Sequence, residues 1–234
     1  VLFYFILKKM KHNKARNLVC RVSFYINKKA INLYGYKRGE KRIMERPYET
    51  VTLKNGNILK IFCDELAENP RTGYDNLGTL VFWMRGRYSG LGDNHEYVGP
   101  DDFLKEHRPK DTIIYKVYAY IHGGIALQMV PFPEGENPYE CPFDSGFCGF
   151  CFVSKADARN EYGRLTSKIL VLIEQILKTE LDTYNQYLEG DVYGYQMFDQ
   201  TGIEEESCWG FYGSDWTENG LFESAGIKSD DIAA

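Results

Sequence analysis

Residues 166–189 read TSKILVLIEQILKTELDTYNQYLE, and their spacing decides the fold. Ile169, Ile173, Ile176, Leu177, Leu181, Tyr184 and Leu188 recur at three- and four-residue steps, the period of a helix with one apolar face. Gly190 follows as a C-terminal stop. Lys168, Glu174, Lys178, Glu180 and Asp182 fall on the opposite face, which is expected to be solvated. A shorter helix is expected from Lys155 to Tyr162, between a capping Ser154 and Gly163.

Outward from this helix the pattern changes to hairpins. Val51 to Lys54 and Ile58 to Phe62 flank Asn55-Gly56, a pair suited to the positive φ angles of a type I′ turn. Asn69 to Gly73 has the composition of a loop, and Leu77 to Trp83 reads as a buried strand. Ile113 to Tyr120 and Ile125 to Val130 pair through His122-Gly123-Gly124, and Phe147 to Val153 is an apolar strand. A last hairpin runs from Val192 to Phe198, through Asp199-Gln200-Thr201-Gly202, to Ile203 through Tyr212. The tail from Lys228 is expected to be frayed. The fold class is therefore α+β: a mostly antiparallel sheet built from hairpins, with one long amphipathic helix (about 166–189) packed on it. No β-α-β alternation supports a doubly wound fold.

The chain has 234 residues and a formal net charge of −5. That charge is unevenly placed. Residues 1–43 carry 12 Lys/Arg against Glu40 alone, whereas the rest carries 16 against 32 acids. A signal sequence fits the leader poorly, because its apolar run precedes the lysines and no small-residue cleavage site follows. A nucleic-acid arm would use the Lys/Arg cluster to neutralise phosphate. The expectation is instead that Met44 is the true start and that 1–43 is translated upstream sequence. Its Lys, Asn, Ile and Tyr bias is what AT-rich codons yield, and Arg38-Gly39-Glu40 can be encoded by a purine-rich ribosome-binding stretch. Residues 44–234 then form a single domain. No apolar run approaches the roughly 20 residues that span a bilayer, and no repeat of 20–50 residues is present.

Several motifs occur together: YDNLGTL (74–80), CPFDSG (141–146), YNQYLEGDVYG (184–194) and SCWGFYG (207–213). Their order and spacing resemble a family of small uncharacterised proteins encoded by bacteriophages and integrated mobile elements. The resemblance covers Glu49 to Ser214 and leaves the basic leader outside. It implies an accessory protein acting in the cytoplasm of a bacterial host cell, and it implies no particular chemistry.

Candidate chemistry falls into four groups. Cys148 and Cys151 have CxxC spacing, and Cys141 and Cys208 would complete a four-thiolate zinc site. Residues three apart on a strand point to opposite faces, so buried free thiols are the simpler account and no cofactor is expected. Asp93 and His95 in the glycine-rich loop 85–100, with His122 and Asp144, are candidates for an acid–base or metal centre, though no HxH or HExxH pair is present. Trp83, Arg85 and Arg87 have the guanidinium–aromatic character of a nucleotide or phosphate site. Finally, the region from Asp191 carries ten acids and only Lys228 as a base. Within it Glu204, Glu205 and Glu206 lie beside Trp209 and Tyr212, an acidic-aromatic pattern suited to binding protein, since charge steers and aromatics anchor. The primary expectation is a non-enzymatic acidic protein that binds a host protein. The alternative is a small hydrolase or nucleotide-binding protein using the loops 85–100 and 131–146.

Overall fold

The computed structural model describes residues 46–233; the basic leader and the Met44 start lie outside the described residues. Eight strands form two four-stranded antiparallel sheets. In chain order they are β1 (Glu49–Thr52), β2 (Ile58–Cys63), β3 (Thr79–Phe82), β4 (Thr112–His122), β5 (Gly124–Pro131), β6 (Ser145–Ser154), β7 (Val192–Phe198) and β8 (Glu204–Tyr212). The helices are α1 (Pro70–Gly73), α2 (Pro100–Glu106), α3 (Lys155–Tyr162), α4 (Ser167–Glu189) and α5 (Leu221–Ser224). None of them is long and apolar enough to cross a membrane. The fold is α+β, as the periodicities require. Contacts group the chain into two compact units.

The first unit holds the described residues up to Cys63, Tyr193–Phe211 and the segment from Asp215. Its sheet has the order β1-β2-β7-β8. Alternation along β2 and β7 buries Leu59, Ile61, Tyr193, Tyr195 and Met197 on one face, under Trp216, Leu221 and Ile227 of the C-terminal segment. That segment is docked where a frayed end is expected. Ile232 pairs with Leu53, the Ala233 N–H donates to the Thr52 carbonyl at 2.9 Å, and the Lys54 N–H donates to Asp231 at 2.8 Å. The Asn55-Gly56 hairpin forms, but only Gly56 takes a positive φ, of 87°. The Gly56 N–H donates to the Leu53 carbonyl and Asn57 closes the loop. This is a type I turn with a left-handed glycine, in place of the expected type I′ turn. Gly202, with φ 85° and its N–H on Asp199, repeats the device at the β7–β8 turn.

The second unit spans Asp64–Val192 with Tyr212–Ser214. Its sheet has the order β3-β6-β4-β5. Helix α4 covers one face, burying Ile173, Leu177, Leu181 and Tyr184 against Leu80, Val117, Leu127 and Val153. Each such side chain contributes about 1.5–3 kcal/mol by leaving water. Gly190 ends the helix, as read from the sequence, and the Thr166 side chain caps its start by accepting the Ile169 N–H. One residue of its polar face departs from the expectation: the Glu180 side chain is only 15 % exposed and is bound to neighbouring groups. Ser154 caps α3 through the Asp157 N–H, and Gly163 follows. Asn69 to Gly73 is a helical turn capped by Asn69, where a loop is expected.

On the opposite face α2 buries Phe103 among Val81, Ile114, Phe150 and Phe152. His107 continues this aromatic layer, its ring 4.6 Å from Phe103 and its Nε2 2.8 Å from the Tyr97 hydroxyl. Burial lowers the His107 pKa below the ordinary histidine value, with Glu106 pulling the other way. The unfolded chain therefore takes up the proton first as pH falls. Stability from the neutral ring is fully present above about pH 6.5 and is lost as pH drops toward the depressed folded-state value. Denaturant titrations between about pH 7.5 and about pH 5 are expected to show a downward slope that His107→Gln flattens.

Candidate functional site

Asp93 and His95, read from the sequence as loop-borne chemistry, instead finish the edge of β3. The Asp93 N–H donates to the Leu80 carbonyl at 2.7 Å, and the Leu80 N–H donates to Asp93 Oδ2 at 2.8 Å. His95 Nε2 lies 3.0 Å from the Phe82 carbonyl, so this nitrogen carries the proton. The loop after β3 thus folds back as a substitute strand. Arg71 locks it: Nε and Nη2 bind the two Asp93 oxygens at 3.0 and 2.6 Å, and Nη2 also donates to the Gly78 carbonyl. Glu180 of α4 accepts the Leu77 and Gly78 N–H groups at 2.7 and 2.9 Å and lies 3.7 Å from Arg71 Nη1. Burial works to lower the Arg71 pKa, but the Asp93 hydrogen bonds and the charges of Asp93 and Glu180 outweigh it and raise the pKa. Burial raises Glu180, against the pull of those N–H groups and Arg71. Neither Arg71 nor Glu180 stands out in the sequence as a site residue. One sits in a turn-like run, the other on a helix face that periodicity assigns to solvent.

His122 and Asp144 do meet. His122 Nδ1 lies 3.1 Å from Asp144 Oδ2 at the β4–β5 turn, with 73 % and 37 % of the side chains exposed. Cys141 Sγ is 3.7 Å from the same oxygen. Ser145 Oγ donates to the Cys141 carbonyl at 2.6 Å and accepts from Asn137. Both the thiol and the hydroxyl therefore engage groups other than the imidazole. Neither is placed to give its proton to His122 directly. The arrangement braces the loop that carries Phe143, which is 96 % exposed. Of the four candidates, His122 and Asp144 thus partner each other, whereas Asp93 is bound to Arg71 and His95 to the Phe82 carbonyl.

Trp83 is part of the aromatic layer, its Nε1 donating to the Tyr97 carbonyl at 3.0 Å and its ring 5.9 Å from Phe150. Arg87 donates to the Gly123 carbonyl at 3.3 Å with its guanidinium over Tyr88. Arg85 is exposed just before the short 3-10 turn Gly86–Tyr88.

The thiols are dispersed. A register shift between Val117 and Tyr118 makes Cys148 the extra residue of a bulge, so Cys148 and Cys151 share the core under α4 despite their spacing. Burial pushes the Cys148 thiol up to about 12 and Cys151 higher still. Cys148 Sγ lies 3.3 Å from the Val117 carbonyl. Cys208 packs against the core of the first unit. Among the described residues no group of three or more His, Cys, Asp or Glu side chains is placed to hold a metal ion.

The acidic strand is different in kind. Glu204, Glu205 and Glu206 are all exposed on β8. Glu204 accepts from Gln196 Nε2 at 3.2 Å, Glu205 from Asn57 Nδ2 at 3.1 Å and Glu206 from the Tyr195 hydroxyl at 3.1 Å. Beside them is a groove of about 400 Å³, floored by Leu53, Met197 and Ile227 and rimmed by Glu205, Glu206 and Asp231 together with Lys54, whose ammonium is bound to the Asp230 carbonyl. Trp209 is 41 % exposed. Its indole rests on Gly194, where a Cβ would stand 2.2 Å from Cε3, and near Phe62. Gly194→Ala is therefore expected to lift the indole from its seat at a cost of about 1–3 kcal/mol. A red-shifted, more quenchable tryptophan emission would register the change. Tyr212 belongs to the second unit, its hydroxyl on the Glu68 carbonyl at 2.6 Å and its ring against Tyr74.

No family model, no curated protein and no solved structure matches this chain.

Proposed function

We propose that the chain works by binding another protein in defined stoichiometry through the acidic strand β8. In this reading it is an accessory protein of a phage or integrated mobile element, and its partner is a host protein of the bacterial cytoplasm. The observation that carries the binding reading is the run of three exposed glutamates on one strand, without a basic partner among the described residues, beside a half-exposed tryptophan. A nucleic-acid enzyme or defence protein suits such a face, because closely spaced carboxylates imitate a phosphate backbone. The phage setting rests on the motif resemblance alone.

A small hydrolase is the second reading, and one observation favours it, the exposed His122–Asp144 pair. Affinity capture from bacterial lysate with the tagged full chain separates the two. One host protein retained near equal stoichiometry, kept by His122→Ala and lost with Glu204→Lys/Glu205→Lys/Glu206→Lys, is the expected result. Retention of that protein by the triple variant contradicts binding through β8.

A further inference from the structure

Each sheet has two edges, and an open edge presents unpaired N–H and C=O groups that template pairing with another chain. Specific groups cover part of three of the four edges here. The end of β1 is covered by residues 231–233, through Ala233 on Thr52 and Lys54 on Asp231. Strand β3 is covered by Asp93 on Leu80 and His95 on Phe82. Strand β5 is closed by Asn185 of α4, whose Nδ2 donates to the Leu127 carbonyl and whose Oδ1 accepts the Leu127 N–H, both at 2.8 Å. It ends at Pro131, which has no N–H and whose carbonyl takes the Gly135 N–H.

Among the described residues strand β8 has no such cover. It is nine residues long and lies at the end of the order β1-β2-β7-β8. Among the described residues its outer edge receives no backbone or side-chain bond from another element. At the Trp209 carbonyl the side-chain contact is local, Cys208 Sγ at 4.0 Å.

We propose that β8 is a docking edge for an extended, basic segment of a partner, which adds as a fifth strand and places a lysine or arginine side chain in the groove beside Glu205 and Glu206. This deepens the binding reading above and rests on it. Strand addition supplies main-chain hydrogen bonds for affinity and leaves alternate side chains to give specificity. The groove suits one such side chain. Its floor of Leu53, Met197 and Ile227 matches a methylene stem, and the three carboxylates of its rim, Glu205, Glu206 and Asp231, outnumber the one cation there, Lys54, which is held on the Asp230 carbonyl. The carboxylates each hold only a neutral donor, so a guanidinium would add the first charged partner. The half-exposed Trp209 face offers a second cation a stacking surface further along the strand. The same glutamates disfavour a second copy of this chain at the edge, because two β8 strands would bring their carboxylates together. An edge open to the right partner and repellent to itself is specificity by charge.

The test uses the full chain and synthetic probes at near-physiological salt. One probe is an acetylated, amidated nine-residue peptide alternating arginine and valine. A second has the same charge but is interrupted by proline, so it cannot form a strand. A third carries glutamate for arginine. Calorimetry and backbone NMR are expected to show saturable binding of the first alone, with shifts and slowed amide exchange confined to β8 and the groove. Glu205→Gln/Glu206→Gln should weaken it about tenfold or more, the equivalent of about 1.4 kcal/mol. Equal binding of the proline-interrupted peptide, protection elsewhere than β8, or no binding overturns strand addition. If that happens while the triple lysine variant still loses its captured host protein, binding through β8 stands and only its mode and partner chemistry fall. If the alternating peptide binds β8 but the captured protein survives the triple variant, the docking edge stands and the host-protein reading falls.

Discussion

Replacing Arg71 by methionine is expected to destabilise the protein by about 3–5 kcal/mol, a large share of a typical domain's 5–15 kcal/mol. The reason is asymmetric. The Arg71 side chain is 2 % exposed and faces Asp93, at 22 %, and Glu180, at 15 %. Removing the cation leaves two carboxylates facing each other with little water to screen them. The Asp93 and Glu180 contacts also hold the Leu77–Leu80 backbone, so the loss extends to the β3 edge. Urea unfolding measures the effect, and adding Asp93→Asn to Arg71→Met should recover part of it. A cost under about 1 kcal/mol would mean that water reaches the cluster and the pairing is worth no more than a surface ion pair.

Gly149→Ala is expected to be comparably severe. A Cβ at Gly149 would stand 1.9 Å from the Val81 carbonyl oxygen, 2.6 Å from Phe82 Cδ1 and 2.9 Å from Phe82 Cα. Two of these three atoms are backbone of the paired strand β3, so rotamer changes cannot relieve the clash. The β3–β6 ladder must separate next to the Cys148 bulge, at a cost of about 3 kcal/mol or more, the upper end of overpacking. A melting temperature within a degree or two of the parent would show that β3 shifts freely and is less firmly packed than its buried Leu80 and Val81 imply.

Local physics made much of this fold legible. The α4 apolar stripe and its Gly190 stop, the Ser154 cap of α3 and the β4–β5 and β7–β8 hairpins all follow from neighbours in sequence. The errors have a common origin in partners distant along the chain. Glu180 looks solvated on a helical wheel, yet it binds Leu77 and Gly78 more than a hundred positions away. Asp93 and His95 have the composition of a reactive loop, and only tertiary structure shows them closing a strand edge. The last residues lack any periodic signal, and their order comes from Leu53 and Thr52 near the other end of the described chain. The Asn55-Gly56 turn type turned on whether one or two residues adopt positive φ, which the dipeptide alone leaves open. For the candidate site, the acidic-aromatic run on β8 was readable as composition. That β8 is an edge strand, uncovered among the described residues, depends on a strand order no local pattern encodes.

The most direct measurement is residue-resolved amide exchange on the free full chain. The account predicts slow exchange at three edge amides that have specific acceptors: Leu80 on Asp93, Leu127 on Asn185 and Lys54 on Asp231. Alternate amides of β8 between Glu204 and Phe211, those pointing away from β7, should exchange at close to unprotected rates and slow when the basic strand peptide is added. Uniformly slow exchange along β8 in the free chain would contradict an open edge, and with it the central claim that this strand is kept available for a partner.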